Sequence, residues 1–225
     1  MNANRPRLVV FSDDWGRHPS SCQHLVRELL DRYEVDWVNT IGTRRPSLRA
    51  GDLKRIGEKV GQWTRGAAPG EGTPPGLRVH SPFMWPGFKG RPERDLNLFL
   101  LRRALRRILP GPRPPAAVVT TVPLVADLAR RTAHLNWVYY CVDDLAEWPG
   151  LDGEVLRRME RELVPVVSRV VVVSRTLERH IAALGREAEL LTHGVDPAAW
   201  RLPERPPRTG PPRLLYWGVI DGRLD

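Results

Sequence analysis

The sequence predicts an α/β fold: a doubly wound, mostly parallel sheet covered by helices. Three observations carry this reading. Val170-Val171-Val172-Val173 is an unbroken β-branched run, the composition of a strand buried on both faces. Short apolar runs alternate with segments of helical period along most of the chain. The run Val138-Tyr139-Tyr140-Cys141-Val142 stops abruptly at Asp143 and Asp144, and a Pro149-Gly150 turn follows. A buried strand that ends in carboxylates delivers them to the edge of an open α/β sheet where ligands bind. The same pair also fits a plainer arrangement, in which one Asp caps the next helix and the other is solvated.

Arg7 to Ser12, with Leu8-Val9-Val10-Phe11 at its centre, reads as a first, central strand. It runs into a polar loop, Asp13-Asp14-Trp15-Gly16-Arg17-His18-Pro19. Ser20 or Ser21 then caps a helix whose apolar face is Leu25, Val26, Leu29 and Leu30. An acidic pair after a first strand also fits a phosphoacceptor receiver domain, but the later Asp and Lys of that arrangement are missing. Tyr33 to Asn39 is the second strand. Residues 42–76 are dominated by Arg, Lys, Gly and Pro, with Ile56, Val60 and Trp63 allowing one short helix; the segment reads as an insertion or lid. Leu77 to Pro82 is the third strand, and Phe83-Met84-Trp85-Pro86-Gly87-Phe88 is an aromatic loop that either plugs the core or faces a sugar or lipid.

Asp95 to Leu109 has helical period, with Leu98, Phe99, Leu101, Leu105 and Ile108 assigned to one face and Arg102, Arg103, Arg106 and Arg107 to the other. That basic face is either solvated or laid on an anionic membrane surface. Ala116 to Thr121 is the fourth strand, and Pro123 opens the helix behind it. After the fifth strand come a surface helix over Glu154 to Val164 and the Val170–Val173 strand. Ser174 caps a helix that runs to Leu184, and a short strand follows over Glu189 to Thr192. Residues 197–212 hold six prolines and read as a linker. Arg213-Leu214-Leu215-Tyr216-Trp217-Gly218 then starts a new strand. The division predicted is therefore residues 1–196 as one domain, 197–212 as linker, and 213–225 as the first strand of a second, truncated domain.

Composition narrows the function. A chain of 225 residues can bury a full core. No apolar run reaches the roughly 20 residues of a membrane-crossing helix, and no secretory signal is expected. Cys22 and Cys141 are too few for a disulfide framework and suit reduced thiols in a cytoplasm. The net charge of +9 fits an anionic surface, a phosphorylated ligand or a bias toward Arg. Basic residues are scattered, not interleaved with aromatics, which argues against nucleic acid.

Four segments in order resemble one family, the bacterial GT-B glycosyltransferases of the family-4 and family-1 type, and within it the polysaccharide-synthesis branch. Trp15 to Leu25, with Pro19-Ser20-Ser21-x-Gln23-His24-Leu25, is similar to its first loop and helix. Tyr139-Tyr140-Cys141-Val142-Asp143-Asp144-Leu145-x-x-Trp148-Pro149-Gly150 is similar to its "Tyr-x-x-Val-Asp-Asp … Pro-Gly" segment. Val171 to Leu177 followed by His193-Gly194-Val195-Asp196 resembles "Val-x-x-Ser … Leu … Asn-Gly-Val-Asp", with His193 in place of Asn. Tyr216-Trp217-Gly218-Val219-Ile220-Asp221-Gly222-Arg223-Leu224-Asp225 resembles "Tyr-x-Gly-x-Ile … Arg-x-Asp".

The resemblance implies the N-terminal half of a GT-B fold. Its first domain would be a Rossmann-like, doubly wound parallel sheet that holds the acceptor, and its second would hold a nucleotide-sugar. It implies sugar transfer to a glycan or lipid-linked acceptor in cell-envelope polysaccharide synthesis, in the cytoplasm or at the inner face of the plasma membrane. No separate cofactor is implied, the nucleotide-sugar being a substrate. The family's donor-side glutamate pair would lie past Asp225, so this stretch alone is expected to be inactive. Asp143 and Asp144 take the catalytic role, stabilising a developing sugar cation or accepting the acceptor's proton. Gly218 and Arg223 take the diphosphate, and Asp13, Arg17 and His18 are acceptor-side candidates. No His/Cys cluster has metal-ligand spacing, although an Asp pair is also a chemically reasonable Mg²⁺ ligand. Two alternatives remain: a non-catalytic acceptor- or membrane-binding module, and a sugar-nucleotide epimerase of the same fold.

Overall fold

The computed structural model describes residues 5–40, 73–111 and 113–195, with 197, 210, 211 and 215 as isolated positions. Among these, seven strands form one all-parallel sheet: β1 (Arg7–Ser12), β2 (Glu34–Asn39), β3 (Leu77–His80), β4 (Ala117–Thr120), β5 (Trp137–Cys141), β6 (Arg169–Val172) and β7 (Glu189–Leu190). Their order is β3-β2-β1-β4-β5-β6-β7. The chain winds outward from β1 to β3, returns to lay β4 on the other side of β1, and winds outward again to β7. That reversal opens a crevice beyond the C-terminal ends of β1 and β4. The fold class read from the sequence is the one observed, and each expected strand of the described residues is present.

Five helices are described: α1 (Ser21–Leu29), α2 (Arg91–Ile108), α3 (Ala126–Arg131), α4 (Gly153–Leu163) and α5 (Arg175–Ala183). Three expectations need correction. The helix placed from Asp95 begins at Arg91, because Gly90 caps it, Pro92 fits its first turn, and Glu93 accepts a hydrogen bond from the Gly90 N–H at 3.1 Å. These starting signals precede the first apolar repeat, from which the sequence reading began. Phe99 does not share the core face of α2, which is Asn97, Leu101, Leu105 and Ile108; it stands 62% exposed. A residue two positions before Leu101 points about 200° away from it. On α1 the buried positions are Cys22, Gln23 and Val26, while Leu25 is exposed. The insertion expected at 42–76, apart from 73–76, lies outside the described residues. So do nearly all of the linker and the strand expected from 213.

The core fills both faces of the sheet. Val9, Phe11, Trp37, Val118, Trp137 and Val172 are fully buried, and Phe11 stacks on Trp137 at 5.8 Å. Burial of each such side chain contributes about 2 kcal/mol. A charge in such a core must be paired. Asp36 of β2 is buried and accepts from Arg7 of β1 at 2.6 Å, from Arg78 of β3 at 2.8 and 3.1 Å, and from His80 at 2.8 Å. Arg7 also donates to the Ile108 carbonyl at the end of α2. A second clamp lies among the helices: Arg94 of α2 bonds both Asp127 of α3 and Glu162 of α4.

Burial alone would push the Asp36 carboxyl up, but its hydrogen bonds from His80, Arg78 and Arg7 outweigh that and hold it well below the usual carboxylate range. A depressed folded-state pKa contributes stability that is fully present above the unfolded value of about 4 and is lost as pH falls toward the folded value. Asp36→Asn should therefore destabilise the chain by about 3 kcal/mol at neutral pH. It should also flatten the loss of stability on acidification. Urea melts of both proteins across the acid range check this; parallel acid limbs would contradict it.

Candidate functional site

Polar residues terminate the central strands at the C-terminal edge of the sheet. At the switch between β1 and β4, the buried Ser12 hydroxyl bonds the Thr121 hydroxyl at 2.7 Å and donates to Asp13 Oδ1 at 2.9 Å. The Ser12 carbonyl accepts from both the amide and the hydroxyl of Thr40 at 2.8 Å. The loop after β1 is tied down along its length. The Trp37 indole donates to the Asp13 carbonyl, the Trp15 amide to Asn39 Oδ1, and the Gly16 amide to the buried Gln23 side chain, which itself donates to the His18 carbonyl. Trp15 packs edge-on against Trp37 at 4.9 Å, with the Arg27 guanidinium over its ring. Ser20 is the residue that caps α1, accepting from the Gln23 amide at 3.3 Å.

This frame leaves Asp13, Arg17 and His18 exposed at the rim, with Arg17 paired to Asp14 at 3.5 Å. Cys22 lies buried beneath them. Burial and the Asp13 charge push its thiol up to about 12 against an opposing hydrogen bond from Ser12, so it stays protonated. It is no nucleophile at neutral pH.

Asp143 and Asp144 leave β5 half-buried, and the structure gives them different partners. Asp143 Oδ2 accepts from the Trp148 indole N–H at 2.9 Å. Asp144 Oδ1 accepts from the Ala146 amide at 3.1 Å and so caps the 3₁₀ turn Leu145–Glu147. One carboxylate is aimed by an indole and the other closes a turn. The turn is set by contact as well: a Cβ on Gly153, the first residue of α4, would lie 2.3 Å from the Ala146 carbonyl oxygen. Below the pair, the Cys141 thiol donates to the Asp143 carbonyl at 3.7 Å and also meets the buried Glu160. Glu160 in turn accepts from the Tyr139 hydroxyl at 2.6 Å and pairs with His180 at 2.7 Å. Burial pushes the Cys141 thiol up to about 12, keeping it a donor.

β1 and β5 flank β4, so their ends stand about 10 Å apart at the strand spacing of a sheet. Asp13 and Asp143 therefore follow strands on opposite sides of β4. Tyr140 of β5 lies close to Ser21 at the start of α1. Among the described residues, no group of three or more His, Cys, Asp or Glu is arranged to hold a metal ion. Gly218 and Arg223, the donor-side candidates, lie outside the described residues. Sequence reasoning passed over Thr121, Trp148 and Glu160. Thr121 could have been found by aligning the strand ends, since Thr120-Thr121 closes β4 as Ser12-Asp13 closes β1. Trp148 stood in the right segment with no role given to it. Nothing local marks Glu160, whose partners are about twenty residues away in both directions.

No family model matches the sequence, and no curated protein does. Solved structures to which the chain is similar include a UDP-glucosyltransferase from Polygonum tinctorium capable of glucosylating indoxyl and 3,4-dichloroaniline, at 12% identity and a TM-score of 0.49 over 91% of this chain and 56% of that one. They include the N-terminal domain of a trehalose-6-phosphate phosphatase from Candida albicans, at 13% identity and a TM-score of 0.49 over 86% of this chain and 50% of that one. A UDP-N-acetylglucosamine 2-epimerase from Rickettsia bellii follows at 13% identity and a TM-score of 0.47, over 83% of this chain and 43% of that one. The chain spans about half the length of these structures. Their activities differ, and likeness at this level assigns none of them here.

Gly153→Ala tests the geometry of the turn. The new methyl must displace the Ala146 carbonyl, at a cost of about 1–3 kcal/mol. Hydrogen exchange at the Ala146 amide, held by Asp144, should accelerate. Unchanged stability and unchanged exchange would show that the contact does not set the turn.

Proposed function

We propose that this chain is the acceptor-side part of a glycosyltransferase, which moves a sugar from a nucleotide-sugar to a glycan or lipid-linked acceptor in cell-envelope polysaccharide synthesis. The observation that supports the reading best is the placement of Asp143 and Asp144. They follow the strand next to β4, at the same edge of the sheet from which the loop carrying Asp13, Arg17 and His18 emerges. The chemistry suits the groups. Sugar departure from a nucleoside diphosphate builds positive charge at the sugar, and a fixed carboxylate stabilises it. Asp143, aimed by the Trp148 indole, keeps Oδ1 without a hydrogen bond among the described residues, so it can accept the proton of an acceptor hydroxyl. Asp144 adds charge from a fixed turn. Gly218 and Arg223 serve the diphosphate in this reading, and the four motif segments supply its family.

Helix α2 supports peripheral contact with an anionic membrane at the cytoplasmic face. Arg102, Arg103, Arg106 and Arg107 are exposed and line a groove of about 540 Å³ with Leu98 and Phe99. Basic side chains around exposed apolar ones suit acidic headgroups. No described helix is long and apolar enough to cross a membrane.

Asn keeps the capping capacity of Asp and removes its charge, so Asp143→Asn and Asp144→Asn separate chemistry from folding. In the full-length protein each should lower turnover by about 100-fold or more, with the melting temperature nearly unchanged. Release of nucleoside diphosphate in the presence of acceptor is the measurement. Full activity in both folded variants would reject the assignment, and epimerised nucleotide-sugar formed without acceptor would favour the epimerase. For α2, sedimentation with vesicles should require acidic lipid and weaken as salt rises. Binding that ignores both, or no binding, would leave the basic face solvated.

A further inference from the structure

The loop between β3 and α2 is anchored at both ends, and the anchors lie on opposite sides of the switch point. At its start, the Asn39 side chain of β2 donates to Ser81 Oγ at 2.9 Å. At its end, Arg158 of α4 donates to the Phe88 and Lys89 carbonyls at 2.8 and 3.1 Å, and Lys89 pairs with Asp152 at 3.5 Å. Residues 81–89 form a strap that joins the β2–β3 side of the C-terminal edge to α4 and the residue that caps it.

The side chains of this strap alternate. Met84 is 1% exposed and Phe88 2%, while Phe83 is 42% exposed and Trp85 45%. The outward aromatics do not stand on a loose tip. Buried Asn97 of α2 accepts from the Trp85 amide at 2.7 Å and donates to the Trp85 and Gly87 carbonyls at 3.0 Å. Gly87 leaves the room above it that the Trp85 indole nitrogen and the Glu93 carboxylate occupy; an added Cβ would lie 2.9 and 2.5 Å from them. Buried Asn97 thus spends two hydrogen bonds on the Trp85 backbone and a third on the Gly87 carbonyl, which fixes the segment that carries the exposed indole.

We infer that Trp85, with Trp148 across the Lys89–Asp152 pair, forms a stacking platform for the apolar face of a neutral pyranose ring. Trp148 is itself 41% exposed and is fixed by its bond to Asp143. A sugar ring presents axial C–H groups to the electron-rich face of an indole and hydroxyls to carboxylates at its edge. The rim offers both, because Asp143 and Asp144 stand beside Trp148. Those carboxylates disfavour an anionic lipid surface at this edge, and the arginines suited to one lie on α2 instead. The inference deepens the proposed function by assigning the acceptor's sugar to named residues; it rests on that reading only for what happens to the sugar, not for whether the sugar binds.

Saturation-transfer NMR with methyl α-glucoside, methyl α-galactoside and methyl α-mannoside tests it on the full chain. Saturation should reach the ring C–H protons of at least one glycoside. Trp85→Ala should weaken that binding by several-fold to about tenfold, the scale of one aromatic stack, and Trp85→Phe should keep part of it. If Trp85→Ala does not fold, the wild-type indole N–H signal of Trp85, identified by its absence in Trp85→Phe, decides: it should shift as glycoside is added. No saturation transfer, an unmoved Trp85 signal, undiminished binding by folded Trp85→Ala, or a Trp85 signal that responds to phosphatidylglycerol vesicles and not to glycosides would each overturn the platform. Glycoside binding by a full-length protein that transfers no sugar would overturn the transferase reading and leave the platform standing.

Discussion

A sheet buried on both faces has no place for an unpaired charge, and the layout of this protein follows from that constraint. Where β2 carries Asp36 into the core, cations from the strands on either side meet it. Where α4 carries Glu160 inward, Tyr139 and His180 meet it. Polar groups without such partners are carried to the strand ends. In a parallel sheet the loops that leave C-terminal ends all emerge at one edge, so Ser12, Asp13, Thr121, Asp143 and Asp144 gather there without any one of them specifying the place. The reversal of winding at β1 and β4 then separates the loops and makes room between them.

The buried pairs also govern how still that edge can be. Glu160 touches Cys141, and Cys141 holds the Asp143 carbonyl; the core network ends on the backbone of the residue that carries the candidate carboxylate. Trp148 fixes the side chain from the other direction, and close approach at Gly153 fixes the turn between them. On the facing side, Gln23, Asn39 and Trp37 hold the first loop. Preorganised groups of this kind stabilise charge without having to reorient when it develops. The Arg94 clamp ties α2, α3 and α4 together, so the strap that precedes α2 is referred to the same frame as the loop after β5.

What could be read in the sequence was what local pattern controls. Val170–Val173 and the run into Asp143 announced buried strands because burial on both faces leaves no alternation to confuse. The strand boundaries came within one or two residues for the same reason. The start of α2 escaped, since Gly90 and Pro92 act before the apolar repeat begins, and Phe99 was misplaced because its neighbours Leu98 and Leu101 are apolar whichever way it points. The site was legible as residue types at a strand end. It was not legible as geometry: whether Asp143 or Asp144 would cap the turn depended on Trp148 and Gly153, and Glu160 depends on residues two elements away. Asp36 reads locally as a polar interruption of a strand, and only its neighbours in space explain it.

In the function proposed, substrate meets the C-terminal edge of the sheet between β1 and β5. Backbone amide chemical-shift mapping of the full chain, with UDP-glucose and a methyl glycoside added together, tests this. The largest shifts are expected in the Asp13–His18 loop, at Thr121, and from Asp143 through Trp148, with the N-terminal edge of the sheet silent. Shifts confined to the outer face of α2, or to the N-terminal ends of the strands, would contradict it.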